Sequence, residues 1–434
     1  MMKISVFQAI LFGIFGLGAL IGLFVFATYT NKNTTNVVGT VVIWGTLPKS
    51  GMQKTLITTS QTDTMLKNVS YIQKDPATLS SDLASAIATG DAPDLVLASQ
   101  EELQALTKFI TPIPLATLPA RTFTTTFIGE GNLFTAPNGM GYWGIPFLVD
   151  SLVLFSNRAI LASNGIAKPP ATWEALTGLV PKIALLTPSR QITRGLIGLG
   201  TYDNVHNARG ILSALFLQTG VPVSSYSATG ILAANFHGAS NDSSSGQAVL
   251  GFYTQFADPS KVSYTWNASL ADSQQMFLAG DLGLYIGYVS EASFLRAANP
   301  NLDMDVAPLP QPATSNIKST YGLTYAFMIP RGAKNSAGGY QAAALLTNTN
   351  SQTVAAANTG LAPVTLTQLS SAPADPIAAV AYAEALYAKG WLSPVPTDTD
   401  AIFSSMITNV ISGRLTPESA LATAESTLSA FLQK

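Results

Sequence analysis

The chain has no cysteine among its 434 residues. That excludes disulfides, thiolate zinc sites, cysteine nucleophiles and a lipidated cysteine. Histidine is nearly absent as well: His206 and His237 stand apart in polar stretches, without a His-x-x-x-His or Glu-x-x-His spacing. That pattern offers no metal site. Charge is scarce, with 11% of residues charged and a net charge of −2. Without a basic cluster, a nucleic-acid partner is not expected. The sequence also lacks a G-x-x-x-x-G-K-[ST] phosphate loop, a G-x-G-x-x-G turn after a strand and a G-x-S-x-G nucleophile elbow, so common nucleotide and hydrolase chemistries have no carrier here. No cofactor is implied.

What is present begins with hydrophobicity. No residue from Ile4 to Asn31 is charged, and most are apolar. An apolar helix of about 20 residues spans a bilayer. The region "FVFATYT" offers no small-x-small cleavage site of the kind a removable signal needs. Residues 1–30 are therefore expected to form a transmembrane signal anchor with its N-terminus inside. Residues 31–38 then read as a linker holding the rest outside the membrane. The remaining stretch of about 400 residues is long enough for two lobes.

The segment from "GTVVIWG" to "DAPDLVLAS" (39–99) alternates β-branched runs with helical patterns. In "LSSDLASAIATG", Leu79, Leu83 and Ile87 recur every fourth residue, and Gly90 is placed to cap the helix. A β-α-β-α-β order predicts a parallel sheet covered by helices. Ligands in such sheets sit beyond the carboxyl ends of the strands. This brings Trp44, Gly45 and Thr46 toward one rim, with Ser99, Gln100 and Glu101 beside them.

"YWGIPFLVDSLVLFSN" is longer than an ordinary strand and contains Pro146, which removes a ladder donor. It reads as a connector that leaves one sheet and enters another. A helix stopped by Gly165, a Pro169-Pro170 turn and a helix capped by Thr172 follow, with Trp173 as core. Residues 190–300 read as mostly helical. "YGLTYAFMIPRGAKN" passes through Pro330 and is a second connector, and "TGLAPVTL" reads as a third. Thr416-Pro417-Glu418 starts a terminal helix. Trp44, Trp143, Tyr202, Trp266, Tyr288, Tyr325, Trp391 and Phe403 sit mostly at expected strand ends or loops. There their rings can stack on sugar faces or simply pack.

Four stretches carry a resemblance: "YWGIPFLVDSLVLFSNRAILASNGIAKPPATWEAL", "FLAGDLGLYIGYVSEASFLRAANPNLDMDVAPLP", "YGLTYAFMIPRGAKN" and "VISGRLTPESALATAESTLSAFL". Together they resemble the family 1 extracellular solute-binding proteins of ABC importers, the maltose-binding-protein group, over essentially the whole region after residue 39. The resemblance implies an α/β, two-lobe periplasmic-binding-protein-like fold with three hinge crossings, near Phe147–Val153, Thr324–Ile329 and Leu361–Val364. It implies an N-terminal lobe of 39–148 with 329–361 and a C-terminal lobe of 149–328 with 362–434. Its expected cleft contacts are Trp44, Ser99, Gln100, Asp150, Tyr202, Tyr288 and Phe403. The implied role is delivery of a small solute, a carbohydrate, to importer membrane subunits by a monomer without enzymatic activity; the expected anchor, which would tether it to the membrane, departs from the family pattern of a cleaved signal. Two other classes stay open: a sensor or adhesin ectodomain on the same fold, and a hydrolase pairing Asp150 with Glu291.

Overall fold

The computed structural model describes residues 38–227, 229–238, 244–315 and 317–433. The expected anchor (1–30) and all but the last residue of the expected linker lie outside the described residues. Among the described residues no helix is long and apolar enough to cross a membrane.

The first lobe opens with β1 (Val41–Gly45), α1 (Lys49–Thr62), β2 (Val69–Gln73), α2 (Leu79–Thr89), β3 (Leu95–Ser99) and α3 (Gln100–Leu106). β1 pairs in parallel with both β2 and β3, as the alternating pattern predicts. α2 buries Leu79, Leu83 and Ala86 and ends on Gly90 at φ 77°, a left-handed conformation that favours glycine.

The long apolar run forms β4 (Ile145–Asn157), buried along its whole length. Farther on come β5 (Ile192–Ile197), α4 (Ala208–Gln218), β6 (Leu282–Tyr288), β7 (Met304–Ala307) and β8 (Thr320–Pro330). α5 (Ser336–Leu346), α6 (Thr349–Thr359), β9 (Ala362–Pro363) and α7 (Pro396–Ile411) follow. α5 packs on β1 and β3 and α6 on α1, so the chain returns to the first lobe after β8.

Hydrogen bonds link the strands in the order β2-β1-β3-β8-β4-β6-β5. This corrects the expected passage from one sheet to another, because β4 belongs to one continuous path. Its first half, Ile145 to Ser151, pairs with β8, and its second half, Leu152 to Ser156, pairs with β6. At Pro146 the ladder shifts register between Tyr325 and Ala326, the accommodation a missing N–H requires. β9 pairs with Leu148 and Val149, which also face Tyr325 and Thr324 of β8. Three chain segments thus lie side by side at one level.

The region 190–300 is less helical than its composition suggests. It contains β5 and the hairpin Val223–Tyr226 with Leu232–Asn235. β5 is held by parallel pairing to β6, a long-range contact that local pattern does not encode. Trp173 is core as expected, and its indole N–H donates to Gln218 Oε1 at 2.6 Å.

Candidate functional site

The end of β3 and the start of α3 place four polar residues, Ser99 to Glu102, on the sheet rim, and all four are buried. Ser99 caps α3: its hydroxyl accepts from the Glu101 amide at 3.2 Å, while its own N–H and hydroxyl donate to Glu102 Oε2. This reciprocal cap satisfies helix-end donors. Gln100 faces β8, accepting from the Thr324 amide at 2.7 Å and donating to the Gly322 carbonyl at 2.8 Å. Its amide substitutes for a stretch of sheet ladder.

Both residues were expected to touch a solute, and both are instead committed to the fold. Gln100→Ala removes both partners at once and leaves a buried N–H and carbonyl unpaired. A stability loss of about 2–4 kcal/mol is expected, read as a lowered denaturant midpoint with an unchanged slope.

Phe403 is also corrected. It is fully buried on α7, packed against Phe216, Phe236 and Trp391, and cannot present a face to a solute. Trp44 is half-buried on β1, and Lys74 Nζ sits 3.9 Å from its ring centre. That cation occupies the ring's electron-rich face.

The structure does bring Tyr202 and Tyr288 together. They line a cavity of about 390 Å³ with Asp203, His206, Arg209 and Asp400. The Tyr202 hydroxyl donates to Asp400 Oδ1 at 2.6 Å. Arg209, on the first turn of α4, donates to Asp400 Oδ2 at 2.6 Å and to the Pro396 carbonyl at 3.2 Å. Its other edge crosses to the first lobe: Nε and Nη2 reach Glu101 Oε1 and Oε2 at 3.2 and 2.8 Å. The Tyr321 hydroxyl donates to the same Glu101. Burial pulls the Arg209 pKa down, but Glu101 and Asp400 outweigh it and hold the group above the usual guanidinium value.

Asp150 lies in β4 beside this cluster and accepts from the Ser290 amide at 3.1 Å. Burial, against the hydrogen bonds from Ser290 and with a small push from Glu291, raises its pKa to about 7. Glu291, its partner in the hydrolase alternative, is occupied. It accepts from Asn207, Gln274, Tyr285 and the Tyr288 amide, which turns both oxygens inward. The phenols of Tyr288, Tyr321 and Tyr325 are pushed well above their ordinary pKa by burial and then by nearby carboxylates.

Arg209, Asp400 and Tyr321 escape sequence reasoning because they meet only through tertiary pairing. Glu101 was legible at the rim from strand order. His206 and His237 stand beside Asp272 at 3.5 Å and Glu425 at 3.0 Å, each a partly exposed surface pair. Among the described residues no cluster suited to a metal occurs.

The fold is similar to solved structures of several binding proteins. One is the cyclic α-maltosyl-1,6-maltose binding protein of Arthrobacter globiformis, at 17% identity and TM-score 0.72, covering 91% of this chain and 99% of that one. A second is an ABC transporter solute-binding protein of Thermotoga lettingae bound with α-D-tagatose, at 20% identity and TM-score 0.67, with the same coverage. A third is the maltose/maltodextrin-binding domain of Bdellovibrio bacteriovorus bound to maltotriose, at 16% identity and TM-score 0.65, covering 91% and 100%. No curated protein sequence matches significantly. The sequence itself matches the bacterial extracellular solute-binding proteins over residues 58–385. With a two-lobed sheet, a rim of polar side chains and that match over most of its length, the chain belongs to the family of bacterial extracellular solute-binding proteins.

Proposed function

We propose that the protein is a membrane-tethered receptor that captures a small carbohydrate between two closing lobes and hands it to an ABC importer. The observation that carries this reading is the triple ribbon at Leu148–Val149, Thr324–Tyr325 and Ala362–Pro363, set beside side chains that meet across the lobes. Three links side by side allow a bend while resisting twist, which is what a hinge between two jaws requires. The moving bodies are residues 39–148 with 329–361 and residues 149–328 with 362–434. Trp44, Asp150, Tyr202 and Tyr288 are the solute contacts, with the two phenols and the carboxylate suited to a polyol.

Solute that touches both jaws only when they are shut favours the shut state by its differential affinity. Small-angle scattering of the full chain in detergent, with a panel of mono- and oligosaccharides, tests this. A saturating binder is expected to raise the melting temperature and lower the radius of gyration. Compaction by no saccharide in the panel would sink the proposal. The anchor over residues 1–30 is tested separately, since the chain should stay with membranes after an alkaline wash.

A further inference from the structure

Arg209 has a second role, which rests on the carbohydrate reading above. Among the described residues it is the only permanently cationic one lining its cavity, and it is neutralised twice, by Glu101 from one lobe and Asp400 from the other. Its side chain is only 20% exposed, and that of Glu101 3%. The other ionisable groups gathered around it are acids: Asp203 lines the same cavity, while Glu102 and Asp150, whose carboxyls burial pushes up, lie beside Glu101 and Tyr288. His206, also in the lining, is turned to Asp272.

We propose that Arg209 sets the charge of the solute: its guanidinium is a tethered stand-in, and the cleft selects an amine-bearing carbohydrate that takes its place between Glu101 and Asp400.

Three kinds of solute would fare differently at this site. An anionic solute can reach Arg209 only by displacing Glu101 or Asp400. Displacing Glu101, 3% exposed, leaves a buried unpaired charge, which is heavily penalised; displacing Asp400, 45% exposed, forfeits its ion pair and the Tyr202 hydrogen bond. A neutral polyol can return hydrogen bonds to the carboxylates but leaves their charge uncompensated once the guanidinium swings away. A protonated amine supplies both the N–H donors and the positive charge, and hydroxyls on the same ring can reach the phenols of Tyr202 and Tyr288. Exclusion of the wrong charge gives selectivity as surely as attraction of the right one.

The test uses the full chain in detergent at pH 6 and isothermal titration with four probes: a β-1,4-linked glucosamine dimer, maltose, a digalacturonate and spermidine. The glucosamine dimer is expected to bind about tenfold tighter than maltose or better, a difference of about 1.4 kcal/mol, and the digalacturonate not at all. Arg209→Met, which keeps the stem and removes the competing cation, is expected to raise affinity for the glucosamine dimer more than for maltose. Arg209→Lys should keep the wild-type order.

Tighter binding of maltose or the digalacturonate overturns the inference and leaves the carbohydrate reading standing. Binding of spermidine alone supports selection by charge and overturns the carbohydrate reading. Binding of none of the four overturns both. If Arg209→Met does not fold, the wild-type order of affinities still decides.

Discussion

At pH 8 the protein is expected to melt about 5–10 °C lower than at pH 5. Four buried carboxyls have pKa values raised first of all by desolvation: Glu102 and Asp150 to about 7, Glu384 to about 7 and Glu130 to about 8. In the unfolded chain these groups release their protons near their ordinary values, about 4. Between about pH 5 and pH 7 the folded state therefore holds more protons than the unfolded state. Stability is then greatest below the unfolded values and is lost as pH rises toward the folded ones.

Each proton retained makes the slope steeper by about 1.4 kcal/mol per pH unit, so even a fraction of the four gives a loss of several kcal/mol. Glu130 is the sharpest case. Both its oxygens are buried without a hydrogen-bond partner, and burial pushes its carboxyl up to about 8. A Cβ on Gly322 or Gly390 would lie 2.7 or 2.6 Å from these oxygens, so the carboxyl is wedged against the backbone of two connecting segments. Glu130→Gln should melt higher than wild type at pH 8 and flatten the pH dependence. Equal melting temperatures at pH 5 and 8, or a variant with a steeper dependence, would refute this account.

Phe403→Ala is expected to cost about 3–5 kcal/mol, the range for truncating a fully buried aromatic ring. The loss combines transfer of the ring with a cavity that Phe216, Phe236 and Trp391 cannot fill without leaving their own contacts. Phe403→Leu should lose much less. The measurement that matters is paired: denaturant unfolding for stability, and saccharide titration well below the melting temperature for affinity. Stability should fall with affinity nearly unchanged. A variant that keeps its stability and loses affinity would return Phe403 to the cleft.

These two cases mark where the sequence was informative. Strand order, the Gly90 stop, the Thr172 and Thr416 caps and the unusual length of β4 were legible, because each is a local signal with its own physical cause. The rim position of Glu101 followed from strand order alone. What side chains do at the rim did not follow. Ser99 and Gln100 are polar in either role, and only the register of β8 against β3 and β4 shows Gln100 feeding the backbone of Gly322 and Thr324. Phe403 was placed in the cleft by the resemblance, and nothing local distinguishes a ring that packs from one that meets a solute. Arg209 and Asp400 are nearly two hundred positions apart, and no periodicity links them.

The double membership of β4 has a consequence for how the protein is built. Because Ser151 and Leu152 mark a handover from one neighbour to another within a single strand, neither half of the molecule can be expressed by itself without an open, apolar strand edge. Such edges recruit other chains and aggregate. Folding of the two halves is thereby coupled, and a nascent chain released before residue 330 lacks β8 or its last residues and leaves that edge bare. The strand shared by both halves makes the molecule indivisible.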